Sequence, residues 1–131
     1  MATPHLELDE LSDGTTGAYL LVNASIRALE SAVAGRRVID FPADADHTLN
    51  TDPSAGDLEW QDKFIEFTDV AAPLTAAREV EFPAKNGPEY IIKNSTGFTL
   101  TLKISGQSGV TIADGVTGRF YYDGTDIVAA P

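Results

Sequence analysis

The chain of 131 residues contains no cysteine. That excludes disulfide staples and thiolate metal sites, so the fold must rest on its own core. Long apolar runs are missing too: none approaches the roughly 20 residues that a membrane-crossing helix needs. The opening MATPHLELDE lacks a basic region followed by an apolar one, so no secretory signal is expected there. Cations are scarce. Nine Lys and Arg stand against 20 Asp and Glu, for a net charge of −11. Phosphate contacts need clustered cations, so nucleic-acid binding is not expected. Histidine occurs only as His5 and His47, and neither has a second ligand at helical or strand spacing. Both are expected to be surface or hydrogen-bonding residues. No Gly-x-Ser-x-Gly elbow and no Gly-x-x-x-x-Gly-Lys loop is present. A glycosidase pair of carboxylates needs a cleft, whereas the acids here cluster in loops. The expectation is a non-enzyme with no catalytic residue, no cofactor and no metal.

What is present is a train of short β runs from Glu79 to Val128, separated by Asn86-Gly87, Asp114-Gly115 and Asp123-Gly124. In 98–104, Phe98, Leu100, Leu102 and Ile104 take every second position, with Thr99, Thr101 and Lys103 between them. Successive strand side chains point to opposite faces. The first set is therefore expected in the core, and the second at solvent or a partner. Val80/Phe82, Val110/Ile112 and Phe120/Tyr122 repeat the alternation. Tyr121 then points the other way, to pack across strands or to stack on a sugar or a partner. Asn94 is expected to be a turn residue. Turn signals at this spacing predict an antiparallel sandwich or barrel. Pro73 and Pro83 flank the run Arg78–Phe82 and suggest an edge strand. Trp60, Phe64 and Phe67 are expected to anchor the start of the domain, with Ile65 facing oppositely.

One helix is predicted, over Ala18–Ala34. Tyr19, Val22, Ile26, Leu29 and Val33 alternate three and four positions apart, which places them on one stripe. Thr15 and Thr16 are candidate N-caps, and Gly35 is expected to close the helix in a left-handed conformation. Isolated helices of this length are marginal in water, so the stripe must be buried against something. That partner is either the protein's own sheet or another copy. Ahead of the helix, Leu6 and Leu8 alternate with Glu7 and Asp9, a pattern for a loose or a docking arm. After it, Val38–Phe41 is an expected strand stopped by Pro42. The segment 43–59 carries Asp44, Asp46, Asp52, Asp57 and Glu59. It is expected to be a solvated loop, because the spacing of a calcium-binding loop is missing. The organisation expected is an arm and helix over 1–37, an acidic connector over 38–59, and a mainly β, antiparallel domain over 60–131.

Five stretches carry a resemblance: the leading strand from Lys63, then PLTAAREVEFPA, YIIKNSTGFTLTLKI, GVTIADG and the closing YYDGTDIV. Together they resemble the small β-domains of bacteriophage tail fibres and related virion appendages, over about half of the chain. A second, shorter stretch, LELDELSDGTTGAYLLVNASIRALESAV, is similar to N-terminal segments of some phage tail-associated proteins. Val22, Asn23, Ala24, Arg27, Ala28, Leu29 and Val33 match there, while Ser25 and Ile26 depart. The resemblance implies a structural virion protein at the particle surface, of tail-fibre or head-fibre type and without catalytic residues. It also implies a homo-oligomer, a trimer being favoured, with capsid or tail proteins and a host-surface glycan as further partners. Self-association is then assigned to Tyr19, Val22, Ile26, Leu29 and Val33. Two alternatives stay open: a capsid cement protein, and a carbohydrate-binding host-recognition module. The acidity is expected first to serve solubility, and it is also compatible with a virion exterior, since packaged DNA repels an acidic protein.

Overall fold

Alternation decides where the core lies. The computed structural model describes residues 18–51, 58–71 and 74–131, with side chains from residue 22 onward. Leu100, Leu102 and Ile104 are buried, as are Val80, Phe82, Ile112, Phe120 and Ile127, while Tyr122 packs partly buried against them. Each fully buried aliphatic or aromatic side chain contributes about 1.5–3 kcal/mol relative to an exposed one. Among the described residues the chain is mainly β, with one helix leading into a two-sheet sandwich, the class that the alternation predicts.

Helix α1 (Ala18–Ala34) precedes nine strands. They are β1 (Arg36–Asp40), β2 (His47–Thr48), β3 (Phe64–Thr68), β4 (Arg78–Phe82), β5 (Tyr90–Ser95), β6 (Leu100–Ile104), β7 (Val110–Ile112), β8 (Thr117–Tyr122) and β9 (Ile127–Ala129). From β1 to β6 the chain crosses from one sheet to the other at every step. Each strand therefore lands parallel to the one two before it. One sheet runs β1-β3-β5-β8-β9 and the other β2-β4-β6-β7. Only β5 with β8, β8 with β9 and β6 with β7 are antiparallel. The expectation of antiparallel pairing is thus corrected for the first six strands. A side-chain period of two is the same in both directions, so it cannot tell them apart.

The coil stacks equivalent positions. Ile65 lies beside Ile92, Val80 beside Leu102, and Phe67 between Ile39 and Asn94. Further corrections follow from it. Segment 38–59 is not a connector outside the β domain, because it completes β1 and supplies β2. β4 is not an edge, since β2 and β6 flank it. Ile65 is buried and Phe64 faces outward, the reverse of the expected anchoring. Asn86-Gly87 makes no hairpin but lies on the crossing from β4 to β5. There Gly87 lets the backbone approach the buried Tyr90, whose Oη an added Cβ would meet at 2.9 Å. Asp123-Gly124 does turn the β8–β9 hairpin, with Gly124 at φ 102°.

Candidate functional site

Polar groups inside the described body are occupied. Asn94 is fully buried rather than a surface turn residue. Its Nδ2 donates to Phe98 O at 2.7 Å and Ile112 O at 2.9 Å. Its Oδ1 accepts from Thr96 N at 3.0 Å and Thr96 Oγ1 at 2.7 Å. The side chain thereby ties β5 to the start of β6 and the end of β7. Tyr90 Oη donates to the carbonyl of Trp60, and burial pushes this phenol well above its usual range.

Several acids of the described body bind the chain itself. Asp44 accepts from Thr75 N and Oγ1 and pairs with Arg78. The Thr75 hydroxyl, then Arg78, hold its carboxyl down at about 2. Asp46 accepts from Glu79 N at 2.9 Å. Asp40 accepts from Thr68 Oγ1 and from the N–H groups of Val70 and Ala71. Asp126 accepts from Ile104 N, Gly109 N and Ile127 N, which overcome a desolvation that acts the other way and keep its carboxyl low. His47 Nε2 lies 3.2 Å from Glu59 Oε1, with its ring edge-on to Phe41. Among the described residues no three His, Cys, Asp or Glu are grouped to hold a metal ion. His5, Asp52, Asp57, Pro73 and the arm 1–17 lie outside the described residues.

What remains open is the helix. Its base is locked to the body. Ser31 O accepts from Gly35 N within the helix end and from Lys63 N, and Gly35 O accepts from Phe64 N, each at 2.9 Å. Arg37 pairs with the buried Asp62. Gly35 does not adopt a left-handed conformation, which corrects the expected helix closure. Glycine is required there by close approach. A Cβ would fall within 2.6 Å of Asp62 Oδ1 and of the Ser31 backbone.

The flank Ser25, Ala28 and Ala32 is half-buried toward the body. The predicted stripe points away from it. Val22 is 41% exposed, Ile26 50%, Leu29 47% and Val33 73%; the side chain of Tyr19 lies outside the described residues. The protein's own sheet therefore does not cover these four residues. A groove of about 970 Å³ runs beside the helix, bounded by Ala24, Ala28, Arg37, Leu58 and Gln61. Charge sets this element apart as well. Residues 18–34 carry one Arg and one Glu, so the helix is neutral on a chain of −11. Periodicity identified the stripe, and only the three-dimensional packing identifies it as unburied. Tyr121, the other exposed candidate, is 38% exposed and sits across from Val128.

Comparison of the chain with protein-family models, with curated proteins and with solved structures finds no match.

Proposed function

We propose that this protein is a non-enzymatic structural component of a bacteriophage virion, carried on the particle surface as an appendage or decoration. Copies associate through the stripe Tyr19, Val22, Ile26, Leu29 and Val33, three to an assembly, and the β sandwich projects from that stem. The observation that carries the reading is the apolar stripe of α1, exposed on a helix whose base is rigidly held. A neutral stripe suits self-association of an acidic chain, because like charges elsewhere on the surface oppose other contacts. The ionisable groups of the body serve turns and ion pairs, which supports a structural rather than a catalytic role. The resemblance of the β segments to phage appendages supplies the setting.

Purified particles of the phage encoding the chain test this directly. Quantitative mass spectrometry should find the protein in the particle at a fixed copy number. A low number places it in an appendage and a high one makes it a head decoration or cement. Absence from particles would refute the virion role.

A further inference from the structure

The five-stranded sheet ends on an open strand. β1 pairs with β3 on one side, and no described strand lies on its other side. Its hydrogen-bond direction follows from the ladder. Gly35 O accepts from Phe64 N, and Phe41 N donates to Thr68 O. Alternate residues of a parallel strand bond to one neighbour. The odd positions of β1 therefore serve β3, and the N–H and C=O of Arg36, Val38 and Asp40 point to the open edge. The side chains of these three residues share the outer face of the sheet, since Ile39 points to the core. Val38 is 50% exposed and the Arg36 side chain 62%.

An unpaired edge is a template for another strand, and charges usually blunt it. Here the charges are arranged to fit a second copy. Set two β1 strands antiparallel about Val38. Arg36 then faces the partner's Asp40, Asp40 faces the partner's Arg36, and Val38 meets its own equivalent. A shift of two residues in either direction places Val38 opposite a charge and breaks both ion pairs. We propose that two copies join edge to edge through β1 in this register, about a two-fold axis at Val38, so that one sheet runs across both.

Three facing residue pairs would exchange about six N–H···O bonds. The contact is isologous and closes on itself, so it does not propagate as a fibre. Arg36 now lies 3.2 Å from Glu66 and over the Phe64 ring at 5.4 Å. Exposed contacts of this kind contribute little, so the guanidinium can exchange them; Asp40 accepts it on Oδ2, which takes only the Ala71 N–H, while Oδ1 keeps Thr68 Oγ1 and the Val70 N–H. β1 spans only about 17 Å, so the contact is weak alone. A two-fold contact cannot form among three copies related by a three-fold axis, so it joins copies of different stripe assemblies, where several such edges act together. It uses none of the stripe residues and stands independently of the virion reading.

The test uses the full chain carrying Ile26→Asp, so that the stripe cannot contribute. Val38→Cys is then the only cysteine in the chain, and any disulfide must join two copies. A hydrogen-bonded antiparallel pair sets the Cα atoms about 5.5 Å apart, within disulfide range. Mild oxidation should give a covalent dimer, well above the yield from Thr111→Cys on the other sheet. Val38→Pro removes an N–H that β3 does not use, so the fold persists while sedimentation at high concentration shows monomer only. Arg36→Asp should abolish the dimer in the same way, and it carries the test if Val38→Pro misfolds. Equal crosslinking at residues 38 and 111, or a dimer indifferent to Arg36→Asp, overturns the proposal and leaves the stripe reading untouched.

Discussion

Ile26→Asp asks what the helix stripe is for. Ile26 is half exposed, and its neighbours Val22, Leu29 and Val33 are 41%, 47% and 73% exposed. Complete burial of such a side chain contributes about 1.5–3 kcal/mol, and roughly half of that is still to be gained at each position. Four residues then offer about 4 kcal/mol per copy to an assembly. A carboxylate at the centre of the stripe reverses the sign, because burying an unpaired charge costs several kcal/mol. At about 1.4 kcal/mol per tenfold, the dissociation constant should rise at least about a thousandfold. The β sandwich should not notice, since residue 26 lies outside its core. Sedimentation velocity should therefore show a trimeric wild type and a variant that is monomeric when dilute, with only the weak β1 dimer left at high concentration. Far-ultraviolet circular dichroism should show the same β signal in both, with some helix lost. A variant that unfolds would mean that the stripe belongs to the monomer's own core. An oligomer of unchanged size would mean that the contact lies elsewhere, and a wild type monomeric at every concentration would remove the contact altogether.

Asn94→Ala should cost roughly 2–4 kcal/mol by chemical denaturation, because it removes the side-chain partners of the Ile112 carbonyl and the Thr96 N–H, while Phe98 O keeps the Thr96 hydroxyl; a cost below about 1 kcal/mol would refute the tie between β5, β6 and β7. Leu102→Ala should cost about 2–5 kcal/mol. Lys103→Ala, which loses the ion pair to Glu79 and the packing of a stem that is 15% exposed, should cost less, about 1 kcal/mol; equal costs would mean a wrong register. The low carboxyl of Asp44 stabilises the fold above the unfolded value near 4, and that contribution is lost as pH falls toward about 2. Melts across this window should show Asp44→Asn losing less stability on acidification than the wild type. EDTA should leave the melting temperature unchanged; a drop of many degrees would revive a cation site in the acidic segment.

The inward positions of β4, β6 and β8 were legible because alternation is a local property. Direction was not. Leu100-x-Leu102-x-Ile104 has the same pattern beside a parallel β4 as beside an antiparallel hairpin partner. What separates the two is the length and route of the crossings, and those depend on strands too short to announce themselves. β2 is only His47–Thr48, inside a stretch that looks like an acidic loop. The aspartates misled for a related reason. Asp44 and Asp46 seem solvated in sequence because their partners, Thr75, Arg78 and Glu79, come more than 30 positions later. Asn94 shows the same limit, since the carbonyl of Ile112 that it serves lies 18 residues on. The helix stripe was fully visible as a period, but a period cannot say which surface will cover it.

The parallel coil also explains why the helix stripe and one open edge lie side by side. At its far end the chain reverses: β7 pairs back on β6, and β9 pairs on β8. β7 and β9 then form the far edges of the two sheets, as β2 and β1 form the near ones. β1 enters directly from Gly35, and α1 leans on the 3-10 turn Glu59–Gln61 instead of lying along β1. The bonding edge of the first coil and the apolar stripe of the helix therefore sit next to each other in sequence, on either side of Gly35. Parallel sheets are ordinarily covered by other elements. What distinguishes the near end is that its open edge, β1, stands beside an exposed apolar stripe. Copies meeting through the stripe would leave the β1 edge free to join one such assembly to another, while the acidic remainder keeps the sandwiches apart.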